Sequence, residues 1–404
     1  MNAVVYPSHL SGSVTAPPSK SAAHRALICS ALADRPTVVA LDTMNRDIEA
    51  TAACLRALGA GIKPAEGGLS VTPIARSPES AILDCEESGS TLRFLMPVAA
   101  ALGTRTLFVG HGRLPLRPNA ALTEALRRHG AQIDSDLLPM NLRGPLRGGR
   151  WTLPGNVSSQ YISGLLFALP LLDDDSEIVL STALQSGSYV SMTLEALRTF
   201  DVRVETFAGG WRVPARQRYH APALTRIEGD WSAAAFWFAA NALGAGIEVK
   251  GLNADSLQGD RAVRGMLGQP DIDASDVPDL VPALAVAAAA LPQKTVITGA
   301  ARLRLKESDR LAAVAELVRA LGAAARETED GLTIEGRAIA RQAGVIPTVN
   351  GHNDHRIVMA AAVAAACGPG PVRITGVEAV DKSYPEFFRD LESLGGHVDV
   401  ELNG

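Results

Sequence analysis

The chain has 404 residues, 47% hydrophobic and 20% charged, with a formal net charge of -5 and a sequence pI of about 5.9. That length exceeds one ordinary core and favours two domains, and the balance is that of a soluble globular protein. An acidic chain with only 4% aromatic residues lacks the basic face and stacking rings of a nucleic-acid binder. Met1 to Val14 shows no basic stretch leading into a long apolar core, so no signal peptide is expected. Ala-rich runs such as Val281–Leu291 are too short to cross a bilayer. The 4 cysteines, Cys29, Cys54, Cys85 and Cys367, form no C-x-x-C pair. They are expected as buried small residues in a reducing cytoplasm, with neither a zinc site nor a disulfide framework.

In chain order, a polar cap opens a first helix at Ser19-Lys20-Ser21, and Leu55-Arg56-Ala57-Leu58-Gly59-Ala60 closes a second. Glu87-Ser88-Gly89-Ser90 opens the next pair and Leu126-Arg127-Arg128-His129-Gly130-Ala131 closes it. Ser158-Ser159-Gln160 and Leu197-Arg198-Thr199-Phe200-Asp201 bound a third pair, with aspartate where glycine stood before. Gly229-Asp230 opens a fourth helix with an Ala-rich body over Ala233–Ala242, followed by a short β-rich run Ile247–Gly251 and the closing phrase Val263–Gly268. Pro278-Asp279 opens a fifth, with body Ala283–Ala290, strand Val296–Gly299 and close Leu317–Ala323. Asn353-Asp354 opens a sixth, with body Ala360–Ala366, strand Val372–Gly376 and close Leu391–Gly396. The closing residues are spaced by about 71, 71, 67, 54 and 73 residues, a supersecondary period.

Each part has a physical reading. Ser, Asp and Asn at a helix start accept backbone N–H bonds, so Asp279 too is expected as an N-cap. Glycine after the last turn suits a left-handed C′ position. The Ala-rich bodies carry little polar surface and read as helices buried on nearly all sides. The second helices look amphipathic and outer. The fold class is therefore α/β, built of six repeated units with buried Ala-rich helices. The short interval falls at Gly268–Asp279, where a strand pair is abbreviated.

Cations sit beside these caps. Lys20 and Arg25 follow the first, Arg93 the second, and His355 with Arg356 the sixth. More lie in Arg113–Pro118, in Arg302–Arg310 and at Lys382. A helix N-terminus binds anions and disfavours cations, and a small, multiply anionic ligand would offset that cost. Arginine grips carboxylate and phosphate bidentately, whereas lysine acts as a point charge. No G-x-x-x-x-G-K-[ST] loop occurs, nor a G-x-G-x-x-G between strand and helix. His352 and His355 flank Asp354 without a third ligand spaced to match, so capping and anion contact are expected there and no metal.

Pro17-Pro18-Ser19-Lys20-Ser21-Ala22-Ala23-His24-Arg25 resembles the first signature of the 5-enolpyruvylshikimate-3-phosphate synthase family, and Glu87–Arg93 resembles the second. Val157–Tyr161, Leu305–Leu311, Asn353–Arg356 and Lys382-Ser383-Tyr384-Pro385 resemble four more, in family order along nearly the whole chain. The resemblance implies an inside-out α/β barrel of two similar domains, each of three repeated α/β units, residues 1–17 with 229–404 and residues 18–228, with the active site in the cleft between them. It implies transfer of the enolpyruvyl group of phosphoenolpyruvate to the 5-hydroxyl of shikimate 3-phosphate, releasing phosphate. No cofactor or metal is implied, and the partners are these two small molecules, with no nucleic acid, no membrane and a cytoplasmic monomer.

By the same resemblance, Lys20, Ser21, Arg25, Ser158, Ser159, Gln160, Ser186, Tyr189, Asp279 and Lys306 hold shikimate 3-phosphate. Lys20, Gly89, Arg117, Gln160, Arg310, Arg356 and Lys382 hold phosphoenolpyruvate. Asp279 is the base for the hydroxyl, and Glu307 moves a proton at the enolpyruvyl carbon with Lys382 or Lys20 assisting. The chain departs from the family at Pro18, where glycine is common, and at Glu87 and Arg302, where asparagine is common. Pro18 removes a donor, no role is carried to Glu87, and Arg302 is at most a further contact. The sister family that uses UDP-N-acetylglucosamine is the nearest alternative. It places asparagine after the first lysine and a cysteine before the arginine matching Arg117, whereas here Ser21 follows Lys20 and His111–Leu116 has no cysteine. A non-catalytic anion-binding repeat protein is the alternative of another class, and it gives no reason for acids such as Asp279 and Glu307 among so many cations.

Overall fold

A computed structural model describes residues 1–336 and 346–401. Twelve α-helices occur among the described residues, two per repeat. They are α1 (Lys20–Ala31), α2 (Arg46–Ala57), α3 (Gly89–Ala101), α4 (Ala120–Arg128), α5 (Ser159–Ala168), α6 (Gly187–Thr199), α7 (Trp231–Ala242), α8 (Val263–Met266), α9 (Val281–Ala290), α10 (Arg310–Ala320), α11 (His355–Ala366) and α12 (Phe387–Ser393). Five of the six first helices carry the cap that the sequence marks. Ser19, Ser88, Ser158, Asp230 and Asp354 each accept a backbone N–H from the first turn, satisfying donors that the helix leaves open.

Asp279 is the exception, and the N-cap expectation is wrong there. A 3₁₀ turn over Pro278–Leu280 precedes α9, whose Leu280 cap makes no side-chain bond. Pro282, at the helix start, already removes one open donor. The carboxylate of Asp279 turns to Arg310 instead.

All six closing residues adopt positive φ: Gly59, Gly130, Gly268, Gly322 and Gly395, and also Asp201 at 63°. Aspartate tolerates the left-handed region better than most residues, which explains the one exception to glycine. At five of them the bond pattern is that of a Schellman close, as in Ala60 N–H to Leu55 C=O and Val202 N–H to Leu197 C=O, whereas at Gly268 the preceding Leu267 is already extended.

The chain divides into two compact units, Met1–Pro17 with Gly229–Gly404, and Pro18–Glu228. In the second unit three four-stranded sheets share one plan. Each sets a strand that precedes a first helix parallel to the strand between the two helices, then adds an antiparallel hairpin. Ser80–Asp84, Arg105–Val109, Met140–Arg143 and Gln132–Ile133 form one such sheet. Gly149–Leu153, Ser176–Leu180, Gly210–Val213 and Glu205–Phe207 form another. In the third, Leu224–Arg226 pairs beside Thr37–Ala40, so the end of this segment completes the sheet at its beginning. The first helices α1, α3 and α5 are buried along most of their length, whereas α2, α4 and α6 are half-buried.

The first unit repeats the plan with one loss. Asp271–Asp273, Lys294–Thr298, Leu332–Glu335 and Ala324–Glu327 make a full sheet. Asn2–Tyr6 joins Thr348–Asn350, Val372–Thr375 and His397–Glu401 in another. Among the described residues the third sheet has only Ser11–Thr15 and Gly246–Lys250. After α8 the chain enters Asp271–Asp273 directly, without the hairpin that follows α2, α4, α6 and α10. That missing hairpin is the short interval read from the sequence. Every residue of α11 is buried, as is α9 from Val281 to Ala289. Alanine lets these central helices approach closely, and Trp237 stacks on Phe387 at 5.1 Å between ring centroids.

Candidate functional site

In the unit of residues 18–228, polar side chains link the starts of α1, α3 and α5. Lys20 pairs with Asp47 of α2 at 2.8 Å. Asp47 was not singled out by the sequence, because a first-turn acid after the Asn45 cap has an ordinary helical reading. Thr91 accepts or donates to Thr51 at 2.6 Å and donates to Ser88 at 2.8 Å, while His24 Nδ1 lies 2.7 Å from Thr51. Arg93, buried in α3, donates to Gln160 Oε1 at 2.7 Å and to Pro118 C=O at 3.1 Å; Gln160 in turn donates to Ser90 at 2.9 Å. Arg93 therefore aims Gln160, a role that only tertiary pairing reveals.

Arg25 is buried in α1 and donates to Ser21 C=O, Tyr189 C=O and Thr193 Oγ1. Among the described residues no carboxylate pairs with it. Burial lowers its pKa to about 10, so it still carries a charge at neutral pH, and an anion would compensate it. Ser186 is buried in a left-handed conformation at the start of α6, close in sequence to Tyr189. Ser158 caps α5, and Ser159 is buried in its first turn. Arg117 lies against Gly89: a Cβ built on Gly89 would fall 2.7 Å from Arg117 Nη1. Here glycine is needed for close approach, not for its φ.

In the unit of residues 1–17 and 229–404, Arg310 is the hub. It is 1% exposed and opens α10. It reaches Asp354 through Nε at 2.8 Å and Nη2 at 3.2 Å, Asp279 through Nη1 at 2.8 Å, and Glu307 through Nη2 at 2.6 Å. Burial opposes its charge, yet Asp354, Glu307 and Asp279 together raise its pKa above the ordinary arginine value. Asp279 also meets Lys306 at 3.5 Å and Arg356 Nη2 at 3.3 Å, and Arg356 Nη1 donates to the Asp279 carbonyl at 3.1 Å. One carboxylate thus faces three cations. Ser308 donates to Asp354 at 2.9 Å, and Lys382 Nζ donates to Asn353 C=O at 2.6 Å. Arg302 reaches Ser275 C=O at 2.6 Å.

Asp354 does more than cap α11, as its two oxygens also bind Arg310. His352 pairs with Glu316 at 2.9 Å. The described residues whose ligand atoms could converge on an ion are Asp84, Glu86 and His111, not the histidines beside Asp354. No described helix is long and apolar enough to cross a membrane.

Buried helix starts, an uncompensated guanidinium and a carboxylate among three cations define the chain as a repeat-built α/β protein made to handle small anions. The sequence profile of EPSP synthase (3-phosphoshikimate 1-carboxyvinyltransferase) matches residues 4–271 and 266–391. The chain is 40% identical to the 3-phosphoshikimate 1-carboxyvinyltransferase of Clostridium acetobutylicum over 98% of both chains, and 39% identical to that of Clostridium beijerinckii over 98% of both. An EPSP synthase structure from Acinetobacter baumannii superposes with a TM-score of 0.80 at 25% identity, covering 99% of this chain and 100% of the other. The chain belongs to the EPSP synthase family.

Proposed function

We propose that this protein transfers the enolpyruvyl group of phosphoenolpyruvate to the 5-hydroxyl of shikimate 3-phosphate, with release of phosphate, in the route to chorismate and the aromatic amino acids. The observation that carries the reading is Asp279. A general base in this reaction must stay ionised among the cations that an anionic substrate pair demands, and Asp279 faces Lys306, Arg310 and Arg356. Nearby cations favour the carboxylate over the acid.

The acceptor is held by Lys20, Ser21, Arg25, Ser158, Ser159, Gln160, Ser186, Tyr189, Asp279 and Lys306. Buried Arg25 supplies charge, and the capped start of α5 supplies N–H donors for the phosphate. Phosphoenolpyruvate is held by Lys20, Gly89, Arg117, Gln160, Arg310, Arg356 and Lys382. Asp279 takes the proton of the attacking hydroxyl. Glu307, paired with Arg310 at 2.6 Å, moves the proton at the enolpyruvyl methylene carbon with Lys382 or Lys20. Acid–base groups supply about two to four orders of magnitude, and positioning with charge stabilisation supplies much of the rest. We place the enzyme in the cytoplasm as a monomer: its four cysteines are free, and each unit buries its own core.

Phosphate release from phosphoenolpyruvate, measured with shikimate 3-phosphate and separately with UDP-N-acetylglucosamine, tests the choice of acceptor. Release only with the first is expected, and release only with the second contradicts the proposal. Asp279→Asn is expected to lower kcat by about a hundredfold or more while calorimetry still finds shikimate 3-phosphate bound. Near-normal kcat would remove Asp279 as the base.

A further inference from the structure

Asp260 lies in the 3₁₀ turn Gly259–Ala262 and is 2% exposed. No sequence signal set it apart. The Ser232 hydroxyl, in the first turn of α7, donates to its Oδ2. Its other oxygen, Oδ1, is buried and has no hydrogen-bond partner among the described residues. The charged groups around it come from five elements. The turn before α9 brings Asp279, the start of α11 brings Arg356, and the cap of α7 brings Asp230. On its own turn Arg261 is engaged by Ala254 C=O, and on α8 Arg264 lies over the Trp231 and Phe238 rings.

Asp260 therefore faces two carboxylates and one guanidinium, and that guanidinium already binds Asp279. A buried carboxylate with one hydroxyl donor and two like charges nearby is unfavourable, and the acid form relieves both costs. We propose that Asp260 is a positioning residue that stays neutral in the resting site, leaving Asp279 as the carboxylate that engages Arg356. The inference rests on the reading of Asp279 as the base.

Burial first, and then Asp279, push the Asp260 carboxyl up to about 7, against the pull of Arg356 and Ser232. Above that pH a second carboxylate competes for Arg356 and repels phosphoenolpyruvate. The efficiency toward phosphoenolpyruvate should then fall as pH rises, and an amide at position 260 should remove the effect.

The test compares kcat/KM for phosphoenolpyruvate at pH 6 and pH 8.5 in wild type and Asp260→Asn. The ratio of the high-pH to the low-pH value should rise by about tenfold in the variant. An unchanged ratio would overturn the inference. Difference infrared titration of the unliganded proteins needs no turnover. It should show a protonated-carboxyl band that fades through about pH 7 in wild type and is missing in Asp260→Asn. The same spectra in both proteins would overturn the inference as well. Asp279→Asn, run alongside, separates the two readings. If it is crippled while Asp260→Asn leaves the ratio unchanged, only the role of Asp260 fails; near-normal turnover in Asp279→Asn overturns both.

Discussion

Replacing Arg310 by alanine should destabilise its unit severely. The side chain is 1% exposed and binds three carboxylates, those of Asp354, Asp279 and Glu307. Asp354 is itself fully buried, so water cannot take over from the lost guanidinium. Breaking a buried ion pair by removing one partner costs about 3–5 kcal/mol. For a unit of roughly 190 residues, about 2–4 °C of melting temperature is lost per kcal/mol. The transition of that unit should therefore drop by about 6–20 °C in differential scanning calorimetry. Arg310→Lys keeps a charge but not the fork that spans three partners, so it should melt between the two. Lowering the pH should narrow the gap between Arg310→Ala and wild type, because protonation removes the unpaired charge. A variant melting within about 2 °C of wild type at pH 7.5 would refute the hub, since that shift equals only about 1 kcal/mol.

Gly89→Ala would put a Cβ 2.7 Å from Arg117 Nη1 and 2.9 Å from its Cζ. The guanidinium must move, so KM for phosphoenolpyruvate should rise with little change in melting temperature, as initial-rate kinetics and calorimetry would show. Arg356→Ala removes both contacts to Asp279 and should lower kcat/KM for phosphoenolpyruvate by about thirtyfold or more, and wild-type efficiency in that variant would count against the assignment. His24 is fully buried, and desolvation, then Lys20 and Arg25, lower its pKa well below 6.5. The unfolded chain binds a proton there that the native state refuses. Stability from this group is complete above about pH 6.5 and falls below it by up to about 1.4 kcal/mol per pH unit. Urea unfolding of wild type and His24→Gln between pH 7.5 and 5.5 should show the shallower dependence in the variant.

Much of the fold was legible because it is set by local chemistry that recurs. A serine or aspartate at a helix start and a left-handed residue at its end act within a few residues of sequence, so their sixfold repetition shows in the chain alone. Even the missing hairpin after α8 is visible as a short interval. What local chemistry could not decide was where Asp279 points. Its sequence setting after Pro278 suits a cap, yet its partner Arg310 lies 31 positions on, and the ion pair prevails over a helix start already relieved by Pro282. Asp47 against Lys20 and Arg93 against Gln160 escaped for the same reason. The pairs are tertiary, and each residue alone has an unremarkable reading. Asp260 lacked even that, being one acid after a glycine, and only burial beside Asp279 and Asp230 distinguishes it.

Identifying the product shows whether the enolpyruvyl group is transferred. The purified protein would be incubated with shikimate 3-phosphate and phosphoenolpyruvate and followed by proton and phosphorus NMR. Inorganic phosphate should appear one for one with loss of phosphoenolpyruvate, while a methylene pair appears on an enol ether at carbon 5 of the acceptor. Phosphate released with carbon 5 still a free hydroxyl, or no turnover of this substrate pair by folded protein, would contradict it.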